Sequence, residues 1–176
     1  MSEIYKPRLR HYETKGTQQH VGEEDQYLYN QHAPTHRFAI IGVGTIGKEH
    51  MRVTTLLGRA RIHGIYDPQE RSLDVAETEF AKISSDKLVR YTDLDAACSD
   101  PDVDAYFICT PNYTHYEVLC TVIKTGKPIF VEKPMATTVD HAAKMVKMVN
   151  EYSSFIQIGL QYRYKRQYVE AYHEAL

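Results

Sequence analysis

The stretch "RFAIIGVGTIGKEH", residues 37–50, decides the fold of this chain. Residues 37–42 form an apolar run that predicts a buried strand, and the pattern over 45–57 predicts a helix. Between them lies "GVGTIG", which matches G-x-G-x-x-G with glycines at 42, 44 and 47. A glycine-rich turn that follows a strand and opens a helix is the context in which this pattern has a mechanism.

The glycine turn predicts a site for the pyrophosphate of a dinucleotide. The first glycine allows the sharp bend, the second lets backbone N–H groups approach the pyrophosphate, and the third lets the helix pack closely on the strand. The predicted cofactor-binding residues of this segment are Gly42, Gly44, Thr45, Ile46 and Gly47.

The rest of the chain alternates short apolar strands with amphipathic helices. Further strands are predicted at 60–66, 88–91, 103–110, 128–132 and 155–164. Helices are predicted from within "DPQE" (67–70) onward, within "PNYTHYEVLCTVIKTG" up to Gly126, and over about 138–152. This alternation predicts a parallel sheet with right-handed crossovers, and continuously apolar strands predict that both sheet faces are covered. The predicted fold is a doubly wound α/β domain.

Apolar spacing also predicts which helix faces meet the core. In the first helix the predicted core face is Ile46, His50, Val53 and Leu57, with His50 interpreted as a packed core histidine in preference to a ligand. In the helix over 138–152, Thr137 and Asp140 predict a capping box. The predicted core face of that helix is Val139, Ala142, Ala143, Val146 and Val149.

Asp67 ends the second predicted strand, 25 residues after Gly42. One interpretation is a helix cap, with Pro68 at the first helical position and Glu70 completing a capping box. The other is a ligand to a cofactor ribose, and the two roles can coexist. A carboxylate here repels a 2′-phosphate, so NAD is favoured over NADP, although Arg71 could offset this by pairing with a phosphate.

Ligands of an open α/β sheet bind beyond the carboxyl ends of its strands. Those ends carry "TPNYTH" at 110–115, "EKP" at 132–134 and "QYRYK" at 161–165. Each one alone is also compatible with an ordinary polar strand end, and Thr110 with Pro111 could simply begin a helix.

Lys133 is the candidate for proton transfer. Beside a positive cofactor ring and partly desolvated, its ammonium would release a proton more readily than in water. It could then hydrogen-bond a substrate hydroxyl or carbonyl while hydride moves to or from nicotinamide. The alternative is an exposed lysine paired with Glu132.

Composition excludes several classes of protein. The 176 residues carry a net charge of -2, so a polyanion partner is not indicated, although "YRYKRQY" (162–168) interleaves aromatic and basic residues. No apolar run approaches the roughly 20 residues of a membrane helix, and the N-terminus lacks a signal-peptide pattern. Three cysteines, Cys98, Cys109 and Cys120, form no metal or redox motif and predict free thiols in a reducing cytoplasm.

Residues 1–36 differ from the rest of the chain. They are polar, show no sustained period, and are interpreted as a flexible or partner-docked arm that ends at Pro34. Four histidines in the arm, His11, His20, His32 and His36, lack ligand spacing, so no metal site is predicted.

Together these motifs resemble the Gfo/Idh/MocA family, named after glucose–fructose oxidoreductase and inositol dehydrogenase. The resemblance runs from about Arg37 to Leu176 and is carried by "AIIGVGTIGKEHMR", "IYDPQERS", "DPDVDAYFICTPNYTHYEV", "GKPIFVEKPMA" and "IQIGLQYRYKRQY". It implies binding of NAD or NADP, and substrates that are cyclic polyols, sugars or sugar derivatives. It implies a catalytic role for Lys133 and cofactor or substrate contacts from Thr110, Pro111, Asn112, His115, Glu132, Gln161 and Arg163.

The resemblance also implies a second α/β domain with the substrate pocket, an Asp/His pair and an oligomer interface. No G-G-x-x-x-D-x-x-x-H sequence occurs here. We therefore expect 37–164 to be the dinucleotide-binding domain and 165–176 to begin a connection to a further domain. An N-terminal portion of this kind is expected to bind cofactor without efficient turnover, while a full-length form would be a homo-oligomer. A non-catalytic dinucleotide-binding sensor is the alternative.

Overall fold

Six parallel strands form one sheet in the part of the chain that the structure, a computed structural model, describes, namely residues 33–175. The strands are β1 (His36–Ile41), β2 (Ala60–Tyr66), β3 (Val89–Arg90), β4 (Ala105–Ile108), β5 (Ile129–Val131) and β6 (Ile156–Ile158). Their order is β3-β2-β1-β4-β5-β6, the doubly wound arrangement that the sequence predicts. Residues 1–32 of the predicted arm lie outside the described part of the chain.

Helices connect the strands. They are α1 (Thr45–Leu57), α2 (Glu70–Phe80), α3 (Leu94–Ser99), α4 (His115–Val122), α5 (Val139–Asn150) and α6 (Arg166–Ala175). Short 3₁₀ turns at Asn112–Thr114 and Ile123–Thr125 flank α4, and the helical segment ends after the second turn, as predicted, at Gly126 in the left-handed conformation. The sheet therefore presents the carboxyl ends of β1, β2, β4, β5 and β6 along one edge.

Two apolar cores lie on the two faces of the sheet. One joins β1, β4 and β5 to α3, α4 and α5 through residues such as Tyr106, Leu119 and Met145. The other joins β1 and β2 to α1 and α2 through residues such as Met51 and Leu73. These side chains are almost fully buried, so the sheet is fixed from both sides around β1.

The prediction that both sheet faces are covered is wrong over one part of the sheet. On the α1 side, a groove of about 410 Å³ opens across β1, β4, β5 and β6. Its lining includes Phe38, Phe107, Phe130 and Phe155, and Phe155 is 62% exposed. The strands are apolar on this face, as predicted, but no described helix fills the groove.

The predicted core faces of α1 and α5 are also wrong. In α1 the buried residues are Gly47, Met51 and Thr54, whereas Ile46 and Val53 are 45% and 41% exposed. In α5 the buried residue is Met145, while Val139 and Val146 are exposed, and Ala143 is exposed as well. The α5 cap is Thr138, which accepts the His141 N–H, and not Thr137.

Two local predictions fail at element ends, and one short helix was missed. The strand predicted over 155–164 stops at Ile158 and gives way to a 3₁₀ turn at Gln161–Tyr164. The helix predicted to start at Pro68 begins at Glu70, after Gln69. The short α3 was not predicted; its signal was Asp93, whose carboxylate caps it by accepting the Ala96 N–H.

Candidate active site

The glycine turn joins β1 to α1 by close backbone contacts. Gly42 has a φ of 91°, and a Cβ there would lie 2.7 Å from the Thr110 nitrogen. A Cβ on Gly47 would lie 2.0 Å from the Gly42 carbonyl oxygen. Side chains at either position would push the turn away from β4 or α1 away from the turn, so both glycines are required by this packing.

The start of α1 offers free donors. Among the residues that the structure describes, a Cβ on Gly44 would meet nothing within 4 Å, and no side chain caps the helix. The first α1 residues lack intrahelical partners for their N–H groups, and no acidic residue occupies the first turn. Thr45 and Ile46 are exposed beside these groups. The turn therefore fits an anionic pyrophosphate in its shape and its donors.

Asp67 is bonded to the glycine turn. Its Oδ2 accepts the Val43 N–H at 3.0 Å, and its Oδ1 accepts the Gln69 N–H at 2.9 Å. It does not cap α2, so the predicted capping box with Pro68 and Glu70 is wrong. Each carboxylate oxygen keeps a further lone pair that can accept a hydroxyl. Arg71 is exposed on the first turn of α2.

The loop after β4 lies against the glycine turn. Thr110, Pro111 and Asn112 lie on its surface side, and Thr110 Oγ1 accepts a 2.8 Å bond from Thr114. The His115 side chain, in contrast, is fully buried, with its ring nitrogens 2.9 Å and 3.0 Å from the carbonyl oxygens of Pro134 and Thr110. Both ring nitrogens are occupied by these carbonyl oxygens, and the implied contact between His115 and a cofactor stays a prediction.

Glu132 and Lys133 follow β5 at the same edge. Glu132, 15% exposed, accepts the Lys133 N–H at 2.9 Å through Oε2 and lies 2.8 Å from His50 Nε2 through Oε1. The alternative in which the Lys133 ammonium pairs with Glu132 is therefore wrong. Lys133 is exposed, and its ammonium bonds to no side chain in the described part of the chain.

His50 is a site residue that the sequence interpretation missed. Its ring lies on the α1 flank, stacks on Phe107 at 5.1 Å and meets Phe130 edge-on at 5.0 Å. The prediction of a packed histidine is right about its aromatic contacts, but its nitrogen bonds the carboxylate next to Lys133. Its position within an apolar stripe concealed this partner, because β5 is distant in the sequence.

Gln161 and Arg163 lie just beyond β6. Both are exposed in the 3₁₀ turn, and their backbone N–H groups bond to Gly159 and Leu160. They are at the predicted edge, although on a turn and not on a strand. The carboxyl edge thus brings together the glycine turn, Asp67, the loop after β4, Lys133 and this turn.

A second group of charged residues lies at the opposite, amino edge of the sheet; we refer to it as the amino-end cluster. It comprises Arg37, His63, Tyr91, Asp100, Asp102, Asp104 and Lys127. His63 Nε2 lies 3.1 Å from Asp100 Oδ2, which also accepts the Tyr91 hydroxyl at 2.7 Å. His63, Asp100 and Asp102 bring ligand-type atoms within 4.8 Å of one another, but these groups are already bonded to protein donors.

Contacts within the amino-end cluster change the pKa values of its members. Burial alone would raise the pKa of Asp100, yet bonds from Tyr91, the Asp102 N–H and His63 hold that pKa below its usual range. Burial likewise opposes, but does not outweigh, the Arg37 bonds that lower the pKa of Asp104. Burial, followed by the bond to Asp100, raises the pKa of Tyr91.

The three cysteines are free thiols. Burial raises the pKa of Cys98 to about 11, and it also raises the pKa of Cys109, with the charge of Glu132 adding to the effect. Neither thiol is poised as a nucleophile at neutral pH. None of the described helices is long and apolar enough to cross a membrane.

Comparison with known proteins identifies the fold as that of a large family. A family model described as "Oxidoreductase family, NAD-binding Rossmann fold", Gfo/Idh/MocA, matches residues 36–160. This chain belongs to the Gfo/Idh/MocA family. The matched segment is its NAD-binding Rossmann domain, which contains the glycine turn, Asp67 and Lys133.

Inositol dehydrogenases are among the similar proteins. An inositol 2-dehydrogenase of Paracoccus denitrificans is 31% identical over 137 residues, which are 77% of this chain and 40% of that protein. The crystal structure of Lactobacillus casei myo-inositol dehydrogenase with NAD(H) and myo-inositol aligns with a TM-score of 0.71 and 29% identity, over 80% of this chain and 40% of that one. GenD2 from gentamicin A biosynthesis, in complex with NAD, aligns with a TM-score of 0.71 and 26% identity, over 83% of this chain and 40% of GenD2.

The chain spans about 40% of the length of the relatives that it matches. Within that span it is an oxidoreductase-family NAD-binding domain related to inositol dehydrogenases.

Proposed function

We propose that this chain forms the NAD(H)-binding part of a dehydrogenase acting on a secondary alcohol of a cyclic polyol, sugar or sugar derivative. The observation that carries the proposal is the position of Lys133. It projects at the tip of β5, two strands from the glycine turn, or roughly 10 Å along the edge. Its ammonium is free of protein partners in the described residues. A dinucleotide anchored at α1 would extend over this distance.

The residues of the site fit NAD by their donors and acceptors. The first N–H groups of α1 donate to the pyrophosphate, and the open surface at Gly44 admits it. The Asp67 carboxylate, fixed by two backbone N–H groups, accepts ribose hydroxyls and disfavours a 2′-phosphate. Glu132, Thr110, Pro111, Asn112, Gln161 and Arg163 provide the remaining proposed contacts.

Bound NAD⁺ supplies the hydride acceptor, and the chain supplies the base. Lys133 would accept the proton of the substrate hydroxyl when the alcohol is oxidised. In the reverse direction the Lys133 ammonium returns that proton to the carbonyl oxygen. The relationship to inositol dehydrogenases supports a cyclic polyol as the substrate class.

Titration with NADH and with NADPH, followed by cofactor fluorescence, tests the proposal. We expect saturable binding of NADH that is tighter than that of NADPH. If neither cofactor binds saturably, the proposal fails at its first step. The substrate class is tested by the formation of NADH from NAD⁺ with myo-inositol and related polyols, in the longest form of the protein that carries this chain.

A non-catalytic dinucleotide-binding sensor is the second candidate. It shares the glycine turn and Asp67 with the first, and both features would hold a dinucleotide whether or not a substrate is turned over. The two differ at Lys133, which a sensor does not need. Tight NADH binding together with no turnover on any polyol would support the sensor.

A further inference from the structure

The direction of the Lys133 side chain depends on its backbone. Lysine carries its charge on a flexible four-carbon stem. No described side chain bonds the Lys133 ammonium, and the bond that anchors the residue runs from its own N–H to Glu132 Oε2. Within the described residues, the contacts that can aim the ammonium toward a substrate are therefore those made by the peptide at Glu132–Pro134.

Two histidines hold this peptide from either side. His50 Nε2 bonds Glu132 Oε1 at 2.8 Å, so the residue before Lys133 is attached to α1. His115 Nδ1 lies 2.9 Å from the Pro134 carbonyl oxygen, so the residue after Lys133 is attached to α4. The Lys133 side chain thus lies between two residues, Glu132 and Pro134, that are each bonded to a helix.

The His50 ring is itself held in place. It is 25% exposed, stacks on Phe107 with an angle of 18° between the ring planes, and meets Phe130 edge-on. These contacts leave Nε2 directed at the Glu132 carboxylate. With one carboxylate oxygen fixed by His50, the other is presented to the Lys133 N–H. The connection runs without a gap from α1 through His50 and Glu132 to Lys133.

We propose that His50 is a positioning residue that links the helix of the glycine turn to Lys133. It holds the Glu132 carboxylate against the Lys133 N–H, and thereby fixes the peptide that presents the ammonium. The importance of this link for proton transfer rests on the proposed function, but the link itself does not. Because α1 begins at the glycine turn, a shift of α1 on cofactor binding would be passed to Lys133.

Amide hydrogen exchange of the Lys133 N–H, measured by NMR on this chain, tests the link. His50→Phe keeps an aromatic ring against Phe107 and Phe130 but removes Nε2. We expect it to speed exchange at Lys133 about tenfold, the effect of losing one charge-assisted hydrogen bond. His50→Gln retains a donor at similar reach and is expected to restore most of the protection.

His63→Phe is the matched control. His63 is 22% exposed and also bonds a carboxylate, that of Asp100, but at the amino edge. We expect it to leave Lys133 exchange unchanged. If His50→Phe does not fold, Glu132→Gln, which keeps the side-chain shape with a neutral acceptor, is expected to speed exchange severalfold.

Two results would overturn the inference. One is unchanged Lys133 exchange in His50→Phe or, where that variant does not fold, in Glu132→Gln. The other is equal acceleration in His63→Phe, which would indicate general loosening. NADH titration of the same samples distinguishes failure of this proposal from failure of the proposed function. Absence of NADH binding by the unmodified chain contradicts the proposed function. The exchange rates test only the link from His50 through Glu132 to Lys133.

Discussion

The two edges of the sheet carry similar charged residues but bond them differently. At the amino edge, Asp100 accepts from Tyr91 and His63, and Arg37 bonds both Asp102 and Asp104. Donors and acceptors there bond to one another. At the carboxyl edge, Asp67 and Glu132 are likewise bonded, by backbone N–H groups and by His50, but within residues 33–175 the Lys133 ammonium and the first N–H groups of α1 have no such partner.

The difference separates groups that stabilise from groups that bind. A closed set of bonds lowers the free energy of the folded state and leaves nothing for a ligand. At the carboxyl edge the acceptors are fixed while donors remain open, which suits an anionic cofactor and a substrate oxygen. Substitutions at the carboxyl edge should therefore change cofactor affinity or kcat, whereas substitutions at the amino edge should change the free energy of unfolding.

The largest expected effect comes from Lys133→Ala. In a form of the protein that turns over polyol, we expect a loss of at least about a hundredfold in kcat, because a general base is removed. The NADH dissociation constant should change less than about threefold, since the backbone bond to Glu132 remains.

Lys127→Ala is the control for Lys133→Ala. The Lys127 ammonium bonds the Asp100 carbonyl at the amino edge, so its loss should lower stability slightly and leave kcat unaltered. Activity that survived Lys133→Ala would remove the lysine from the proposed proton transfer.

Asp67→Asn should have a smaller effect, on cofactor choice. It keeps the side-chain shape but replaces one acceptor oxygen by an amide and removes the charge. We expect NADH affinity to fall about tenfold and the preference over NADPH to narrow, because a charge-assisted bond and the repulsion of a 2′-phosphate are both lost. Competitive fluorescence titration measures the two affinities.

Asp74→Asn is the matched change for Asp67→Asn. Asp74 pairs with Arg90 on the exposed side of α2, away from the glycine turn. It should leave both cofactor affinities as they are. A cofactor preference that Asp67→Asn did not alter would argue against the ribose role of Asp67.

The smallest expected effect is that of Asp100→Asn, which should change only the stability of the fold. Removing a carboxylate that is bonded by Tyr91 and His63 should lower the free energy of unfolding by roughly 1–2 kcal/mol at neutral pH. NADH affinity should not change. Urea denaturation followed by circular dichroism measures the first quantity, and fluorescence titration the second.

The pH dependence of that stability has a defined sign. The pKa of Asp100 is lower in the folded state than in the unfolded chain, so its contribution is present above the unfolded pKa, about 3.9, and is lost as pH falls through the folded pKa. Asp100→Asn should therefore flatten the decline of the urea midpoint at acid pH. Parallel declines in the two proteins would show that Asp100 is not responsible.

Much of the fold could be predicted from the sequence because its signals are local. The bounds of α1 and β2 agree with their patterns to the residue, and Gly126 ends the α4 segment as its conformational freedom predicts. The edge that carries the site followed from the sheet type, since parallel strands all end on the same side.

Helix faces were mispredicted because apolar spacing does not report how closely a helix approaches the sheet. At the glycine turn α1 is so close that Gly47 is buried against the Gly42 carbonyl, and the same helix face buries Met51 and Thr54, while Ile46 and Val53 stay exposed. His50, His115 and the amino-end cluster were missed as bonding groups for another reason. Several of their partners are distant in sequence: His50 and Glu132 are 82 residues apart, and His63 and Asp100 are 37 residues apart.

The central place of β1 in the sheet bears on how the chain folds. β1 is the first described strand, yet it pairs with both β2 and β4, and the bond from the Arg37 N–H to Asp104 closes a separation of 67 residues. During synthesis, β1 to β3 emerge well before β4 can dock. The apolar flank of β1 must therefore wait for its second neighbour, and we expect closure of this long loop to slow folding.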